Sequence, residues 1–139
     1  MNTEVMFSSK SNIYETPQWL FDELNEEFNF TLDVCADVNT YKCEKYFDEQ
    51  MDGLKQDWSN NICWMNPPYD KSKLWIEKAY NECNENKVTT VALLPSRTDT
   101  IAFHKYIYKQ YEIRFLKGRL KFGKSKNSAP FPSMIVIFK

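Results

Sequence analysis

The sequence contains few glycines, few cysteines and a single histidine, and these scarcities exclude several kinds of site. It has three glycines and four cysteines, the latter at positions 35, 43, 63 and 83, so none forms a Cys-x-x-Cys pair. The one histidine, His104, is far from every cysteine in the sequence. This spacing matches no zinc-binding pattern, and a reducing cytosol argues against disulfides. We therefore predict no metal site and interpret the cysteines as small buried hydrophobic residues.

Long hydrophobic runs are lacking as well. No stretch approaches the roughly 18 apolar residues that a membrane-spanning helix needs, and the first residues lack the basic start and apolar stretch of a signal peptide. We expect a cytoplasmic protein with no membrane partner. Of its 139 residues 42% are hydrophobic, which is enough for one domain with one core. We predict a flexible N-terminal arm over residues 1–13 and a single domain over residues 14–139.

Positive charge is scarce in the first hundred residues and abundant in the rest. Residues 1–100 carry 18 acidic and 9 basic side chains, a charge of −9, whereas residues 101–139 carry 9 basic and one acidic side chain, a charge of +8. Such asymmetry is typical of a protein of which one part faces a polyanion. A lysine-rich solvated surface is the alternative. The aromatic residues and the glycine-containing turn within the basic part favour nucleic acid.

The hydrophobic pattern predicts alternating helices and strands. A helix is expected to begin at Thr16-Pro17, with Thr16 as the N-cap; a second follows Pro68; a third begins at Asp99 or Thr100 and continues to about Lys109. Strands are predicted at residues 30–34, 45–47, 61–65, 88–94, 111–116 and 134–138. This order indicates an α/β fold with a mixed, mostly parallel sheet and a C-terminal antiparallel strand. Ligands bind such sheets beyond the carboxyl ends of the strands, where residues 33–37, 66–69 and 95–98 are expected.

The most informative segment is Asn66-Pro67-Pro68-Tyr69, which follows a short predicted strand. The two prolines end that strand and make a rigid turn. The turn directs the Asn66 amide oxygen and the Pro67 carbonyl oxygen into one small space. These two acceptors can take both hydrogens of an exocyclic amine on an aromatic ring, localise its lone pair toward a methyl donor, and stabilise the charge that develops on nitrogen. Tyr69 is expected to stack on the base.

This chemistry needs no general base with a shifted pKa, because the proton leaves easily once the methyl group has been transferred. A chain with only one histidine is therefore compatible with this chemistry. We expect His104 to be a packed or surface residue without a catalytic role. An ordinary turn after a strand is the alternative interpretation of the four residues.

Seven segments between Tyr14 and Phe138 also carry a resemblance to a known family. They are residues 14–17 (YETP), 32–36 (LDVCA), 52–54 (DGL), 64–69 (WMNPPY), 94–100 (LPSRTDT), 118–123 (GRLKFG) and 128–133 (SAPFPS). In these segments the sequence resembles the phage-type, Dam-like DNA N6-adenine methyltransferases. The resemblance implies a minimal Rossmann-like methyltransferase fold, S-adenosylmethionine as the methyl donor, adenine in DNA as the acceptor, and catalytic roles for Asn66, Pro67, Pro68 and Tyr69. It also implies the cytoplasm of a bacterium or of a phage-infected host cell.

Cofactor contacts are expected at six positions, namely Thr16, Pro17, Asp33, Cys35, Ala36 and Asp57. Asp33 corresponds to the start of the cofactor-binding loop of adenine methyltransferases, although here the loop is not rich in glycine. The segment at Thr16 resembles one that holds the methionine end of the cofactor, and Asp57 resembles the residue that contacts the cofactor adenine. An acidic residue after the second strand commonly binds ribose hydroxyls; Asp48 and Asp52 both qualify. Turn-capping or solvated surface roles are the alternatives.

DNA contacts are expected at Arg97, Arg119, Lys121, Phe122, Lys124 and Lys126. Arg97 can bind phosphate or position the target, with a structural ion pair as the alternative. The other five combine charge with an aromatic ring, which suits a loop that grips DNA while the target base is flipped out of the duplex. Phe122 can equally belong to the core. An oligomer is possible but not indicated.

Two groups of competing functions remain open. The same chemistry can act on N4 of cytosine, on an RNA base or on a protein side-chain amide, although the basic C-terminal part favours nucleic acid. A different class is a non-catalytic DNA-binding protein derived from a methyltransferase. Stabilisation by S-adenosylmethionine distinguishes an enzyme from a pure DNA binder.

Overall fold

A computed structural model describes residues 14–123 and 127–139. The predicted N-terminal arm, residues 1–13, lies outside the described residues. Among them no helix is long and apolar enough to cross a membrane.

The centre of the fold is a five-stranded mixed sheet in the described part of the chain. Its strands are β1 (Leu32–Asp33), β2 (Ile62–Met65), β3 (Thr89–Pro95), β4 (Glu112–Phe115) and β5 (Ser133–Phe138). They lie in the order β1-β2-β3-β5-β4. The first three are parallel, β5 is antiparallel to β3, and β4 is antiparallel to β5. Four strands therefore point in one direction, which confirms a mostly parallel α/β sheet with an antiparallel final strand.

The segments that follow β1 in the sequence lie on opposite sides of this strand. Tyr46 forms a parallel bridge with Asp33 on the outer side of β1, and the chain then returns to form β2 on the other side. The bridge is reinforced by hydrogen bonds from Asp33 N to Lys45 O and from Phe47 N to Asp33 O. The predicted strand at residues 45–47 is thus a single bridge at the edge of the sheet. A topological switch point results between β1 and β2.

Helices and loops cover both faces of the sheet. Helix α1 (Gln18–Phe28) packs on one face and helix α2 (Ser72–Asn86) on the other. Alternate residues of β3 divide between the two faces: Val91 and Leu93 contact the α1 layer, and Ala92 and Leu94 contact the α2 layer. This alternation follows from the two-residue period of a strand. All four side chains are buried, because both faces of the strand are covered.

Two helices differ in detail from the prediction. Helix α1 begins at Gln18, and its N-cap is Pro17, whose ψ of 132° is not helical. The prediction that Thr16 caps this helix is therefore wrong; its hydroxyl is bound elsewhere. The third helix begins where predicted, with the Thr100 hydroxyl accepting from Phe103 N at 3.2 Å, but residues Phe103–Ile107 form a π-helix.

The prediction for the cysteines is largely confirmed. All four are free; Cys43, Cys63 and Cys83 are buried and Cys35 is half-buried. Burial raises the pKa of the Cys43 and Cys63 thiols to about 12, so these residues are neutral and behave as small apolar side chains.

Candidate active site

The polar residues that end β1 and β2 lie at the carboxyl edge of the sheet. Asp33 is the last residue of β1, and Asn66 directly follows β2. The two strands are neighbours with Asp33 paired to Trp64, so both residues border the switch point. In open α/β sheets a crevice at this position is the usual ligand site. A separate groove of about 400 Å³, lined among others by Phe21, Phe30 and Thr31, lies toward the amino end of β1.

The side-chain amide of Asn66 is held by the segment that precedes α1. Its nitrogen donates to the carbonyl oxygen of Tyr14 and to the hydroxyl oxygen of Thr16, the latter at 3.0 Å. A carbonyl oxygen can only accept a hydrogen bond, so the Tyr14 carbonyl fixes which end of the amide faces it. The amide oxygen, Oδ1, therefore points away from this segment.

The Asn66 Oδ1 atom accepts a hydrogen bond of 3.0 Å from the hydroxyl of Tyr69. Burial raises the pKa of Tyr69 well above its usual value, so the phenol is protonated and donates. An amide oxygen has two lone pairs. One is taken by Tyr69, and the second is left for a hydrogen of a bound amine.

The Pro67 carbonyl is the second predicted acceptor. Within residues 14–123 and 127–139 no hydrogen bond uses it, whereas the neighbouring Pro68 carbonyl accepts from Lys71 N at 3.0 Å. Lys71 belongs to the 3₁₀ turn Tyr69–Lys71, which leads directly into α2. The turn thus fixes the end of the tetrapeptide and leaves the Pro67 oxygen available.

Three aromatic rings pack around Tyr69, and together the four form what we call the aromatic cluster: Tyr14, Tyr69, Phe122 and Phe131. The Tyr14 ring is stacked on the Tyr69 ring with centroids 5.2 Å apart and planes at 19°. Phe131 meets Tyr69 edge-on at 5.3 Å, and Phe122 packs on Tyr14 at 4.9 Å. Tyr69 is consequently only 8% exposed. A base can stack on Tyr69 only if a ring of this cluster moves.

The Asp33 carboxylate is buried and organises the loop after β1. It accepts from the backbone N–H groups of Cys35 at 3.3 Å and Lys42 at 3.0 Å. Burial raises its pKa to about 6 despite these two hydrogen bonds, which act in the opposite direction. Burial also raises the pKa of the Cys35 thiol, and the nearby Asp33 and Asp52 carboxylates raise it further. Asp33 therefore acts as a turn cap, the alternative role named for it.

The other acidic residues that were predicted to contact the cofactor each cap a local turn. Asp57 is exposed, and hydrogen bonds from the Ser59 side chain and from Ser59 N, the latter at 2.9 Å, lower the pKa of its carboxyl. It precedes β2, whereas Asn66 follows that strand, and no described contact joins the two. Asp48 and Asp52 accept from backbone N–H groups two or three residues further on. Asp52 affects the Cys35 thiol electrostatically, which places it near the loop after β1.

Two of the predicted DNA contacts, Arg119 and Lys121, lie in the segment that contributes Phe122 to the aromatic cluster. Arg119 and Lys121 are exposed while their neighbours Leu120 and Phe122 are buried, so this segment directs its charges outward and its apolar side chains into the core. Gly123 N donates to Glu15 O at 2.9 Å and ties the segment to the residues that hold Asn66.

Of the other predicted DNA contacts, Arg97 is exposed and Phe122 is buried. The Arg97 guanidinium lies over the Phe131 ring at 5.9 Å and is exposed at the same rim. Phe122 is 6% exposed, which agrees with the alternative that it belongs to the core. Lys124 and Lys126 lie outside the described residues.

Sequence reasoning gave no role to several residues that the structure brings to this site. Tyr14 and Phe131 complete the aromatic cluster, and both lie in segments that carry the family resemblance. Ser96 and Ser133 have buried hydroxyls with no hydrogen-bond partner in the described part of the chain. Ser133 pairs with Pro95 across the sheet, so both hydroxyls are near the end of β3. Buried polar atoms rarely stay unpaired.

Metal-ligating side chains do not cluster within the described ranges, 14–123 and 127–139. No group of three or more histidine, cysteine, aspartate or glutamate side chains there is arranged to hold a metal ion. The fold and site define a class of protein: an α/β protein with a topological switch point, where the Asn66 amide oxygen and the Pro67 carbonyl oxygen lie at the carboxyl edge of the sheet.

Comparison with known proteins identifies the family. Residues 4–139 match the model of the DNA N-6-adenine-methyltransferase (Dam) family. A DNA N-6-adenine-methyltransferase of Haemophilus phage HP1 is 28% identical, with 94% of this chain and 80% of that protein covered. One of Escherichia phage T1 is 26% identical, with 78% of this chain and 46% of that protein covered.

The chain therefore belongs to the DNA N-6-adenine-methyltransferase (Dam) family, a family of adenine-specific DNA methyltransferases. This confirms the predicted family and the predicted class of enzyme.

Proposed function

We propose that this protein transfers the methyl group of S-adenosylmethionine to N6 of adenine in DNA, with Asn66-Pro67-Pro68-Tyr69 as its active site. The observation that carries the proposal is the fixed orientation of the Asn66 amide. Its nitrogen is bound by Tyr14 and Thr16, and its oxygen faces the tetrapeptide's own turn. Residues 14–139 then act as one methyltransferase domain of the Rossmann-like type, which the strand order supports.

The two acceptors act on the amine of the target base. The N6 amine of adenine is a weak nucleophile, because its lone pair is delocalised into the ring. Asn66 Oδ1 accepts one of its hydrogens through the free lone pair, and the Pro67 carbonyl accepts the other. Both acceptors are fixed before the base arrives, so they stabilise the positive charge that develops on nitrogen without reorganising.

S-adenosylmethionine is proposed to bind at the switch point, beyond the carboxyl ends of β1 and β2. Bound there, the cofactor supplies an electrophilic methyl group. The loop after β1 borders this position with the small side chains of Cys35 and Ala36, and Asp33 holds that loop in shape through the N–H groups of Cys35 and Lys42. Asp33 thus serves the cofactor indirectly in this proposal. Contacts from Thr16, Pro17 and Asp57, and a ribose contact from Asp48 or Asp52, stay predictions.

DNA is proposed to lie across the rim formed by Arg97, Arg119 and Lys121. These three cations are exposed, and Arg97 packs on Phe131 next to Tyr69. Their position beside the site allows them to hold the phosphates that flank a flipped nucleotide. Lys124 and Lys126 belong to the same loop in sequence and are proposed to add to this contact.

The decisive experiment incubates the purified protein with labelled S-adenosylmethionine and unmethylated DNA, digests the product and identifies the labelled nucleoside. Label in N6-methyl-2′-deoxyadenosine is expected, and its loss in Asn66→Ala. Asn81→Ala, an exposed asparagine of α2, serves as the matched control and is expected to retain activity.

Other outcomes of this experiment contradict defined parts of the proposal. Label in N4-methylcytosine, or only with RNA, keeps the roles of Asn66 and Pro67 but overturns the substrate. An absence of label in every acceptor, together with no thermal stabilisation by S-adenosylmethionine, overturns the enzyme and leaves a non-catalytic DNA-binding protein.

A further inference from the structure

The segment before α1 reaches the catalytic tetrapeptide from 50 residues away in the sequence. Thr16 is 3% exposed, and its hydroxyl oxygen accepts from Asn66 Nδ2 at 3.0 Å. The carbonyl oxygen of Tyr14 accepts from the same nitrogen. Both hydrogens of the Asn66 amide are therefore engaged, and the amide cannot rotate without breaking both bonds.

We propose that Thr16 is a positioning residue for the methyl transfer, which acts by fixing the direction of Asn66 Oδ1 rather than by contacting substrate or cofactor. This proposal rests on the function proposed above and gives Thr16 a different role from the predicted cofactor contact. Without the Thr16 hydroxyl, Asn66 keeps its bonds to Tyr14 and Tyr69 but loses one of the two acceptors that hold Nδ2, so the plane of its amide can tilt about the two remaining bonds. The Oδ1 atom then leaves the direction in which it accepts from the amine.

The same arrangement explains why an asparagine occupies position 66. The Tyr14 carbonyl can only accept a hydrogen bond, so the atom facing it must be a donor. An aspartate would direct a second acceptor at that carbonyl, whereas an amide presents a donor there and an acceptor toward the base. The Tyr14 carbonyl thus selects an amide over a carboxylate at position 66.

The burial of Thr16 makes valine the appropriate substitution. Thr16→Val keeps the branched shape and removes only the hydroxyl, so it is expected to fold. Thr16→Ser keeps the hydroxyl and is the conservative variant. Thr89→Val is the matched control, because Thr89 lies at the amino end of β3, at the edge of the sheet away from Asn66.

The kinetic test measures single-turnover methyl transfer to DNA with labelled cofactor. Thr16→Val is expected to lower the rate about 10- to 100-fold, as small misplacements of a catalytic group do, while the KM values for DNA and cofactor change less than about threefold. Thr16→Ser and Thr89→Val are expected to stay close to the original rate. Because Asn66→Ala is expected to lose methyl transfer, the coupling of the two residues is measured by urea denaturation. Thr16→Val is expected to destabilise the original protein and to have a smaller effect in the Asn66→Ala background.

Two results of these experiments would overturn the proposal. An unchanged transfer rate with a raised KM for S-adenosylmethionine would make Thr16 a cofactor contact. Equal effects of Thr16→Val with and without Asn66 would show that it acts independently of that residue.

A second readout separates this proposal from the proposed function. In ¹H–¹⁵N NMR spectra, the side-chain amide protons of Asn66 are expected to exchange slowly with solvent in the original protein and in Thr16→Ser, and fast in Thr16→Val. This result does not depend on methylation. If the Asn66 amide protons exchange slowly but the protein methylates nothing, the proposed methyltransferase function is contradicted while the positioning of Asn66 by Thr16 is supported. Fast exchange of these protons in the original protein would overturn the proposed role of Thr16.

Discussion

The hydroxyl of Tyr69 and the amide oxygen of Asn66 are joined by a 3.0 Å hydrogen bond within one tetrapeptide. Because Asn66 Nδ2 is bound by Tyr14 and Thr16 at the same time, the amide is fixed at both ends. The acceptor proposed for the target amine is therefore oriented before any substrate binds, which is the condition for electrostatic stabilisation without reorganisation.

Replacing Tyr69 by phenylalanine removes this hydrogen bond and keeps the ring. A net hydrogen bond contributes about 1 kcal/mol, so we expect the single-turnover rate to fall about fivefold with little change in the KM for DNA. Tyr106→Phe is the control, because the Tyr106 hydroxyl binds Glu77 away from the site. An equal fall in rate in both variants would show that the Tyr69 hydroxyl has no special role.

Replacing Tyr14 by alanine uncovers Tyr69 and keeps the Tyr14 carbonyl that binds Asn66. The ring stacked at 5.2 Å covers a face of Tyr69 that a target base needs. Aromatic pairs contribute about 0.5–1.5 kcal/mol beyond burial, so the KM for DNA is expected to fall about two- to tenfold. A rise in KM would instead indicate that the Tyr14 ring itself holds the base.

Neutralising Arg119 and Lys121 together, as Arg119→Gln with Lys121→Gln, is expected to weaken DNA binding and to flatten its dependence on salt. Removing one cation that neutralises a phosphate reduces the slope of log affinity against log salt by about one. Titrations at several salt concentrations measure this slope. The control is Lys87→Gln, which precedes the amino end of β3 and thus lies at the opposite edge of the sheet from Asn66. If all variants keep the original slope, the DNA lies elsewhere.

The buried carboxyl of Asp33 predicts a pH-dependent stability. Its pKa is raised from 3.8 to about 6 in the folded protein, so between these values the folded state holds a proton that the unfolded chain releases. The contribution of Asp33 to stability is therefore fully present below about pH 4 and is lost as pH rises through 6. At 1.36 kcal/mol per pKa unit, the loss is at most about 3 kcal/mol.

Urea denaturation of the original protein and of Asp33→Asn across pH 4 to 7 isolates this contribution, because all other titrating groups are shared. The stability of the original protein relative to the variant is expected to decline with rising pH. A constant or increasing difference would show that the Asp33 pKa is not raised.

Gly53 is expected to tolerate no side chain. A Cβ atom there would lie 2.1 Å from the Val34 carbonyl oxygen and 3.1 Å from the Trp75 ring. Gly53→Ala therefore forces the backbone apart at the loop after β1, and we expect a destabilisation of about 3 kcal/mol or more in urea denaturation. Gly118→Ala has open space around its Cβ but a φ of +76°, and is expected to cost only about 1 kcal/mol. Similar destabilisation at both positions would contradict the close approach at Gly53.

Much of the fold was predictable because it depends on local patterns. The strand β3, the helix α2 after Pro68 and the turn made by Pro67 and Pro68 depend on neighbouring residues, so the sequence located them within a few positions. The π-helix at Phe103–Ile107 and the late start of α1 at Gln18 were not predictable, since each depends on how a terminal turn packs against the rest of the chain.

Some features of the candidate site likewise follow from the sequence alone, and others depend on the tertiary structure. By itself the sequence determined the tetrapeptide at Asn66, the family, and the concentration of positive charge near the C-terminus, because these are properties of residue identity and order. Only the tertiary structure decided that Thr16 binds Asn66 instead of capping a helix, that Phe122 is buried, and that Tyr14 covers Tyr69. These contacts depend on which segments, remote in sequence, meet in the packed protein. There a buried hydroxyl or amide needs a hydrogen-bond partner, and an aromatic ring packs on the surface that is most complementary to it. Neither condition can be read from a local pattern of residues.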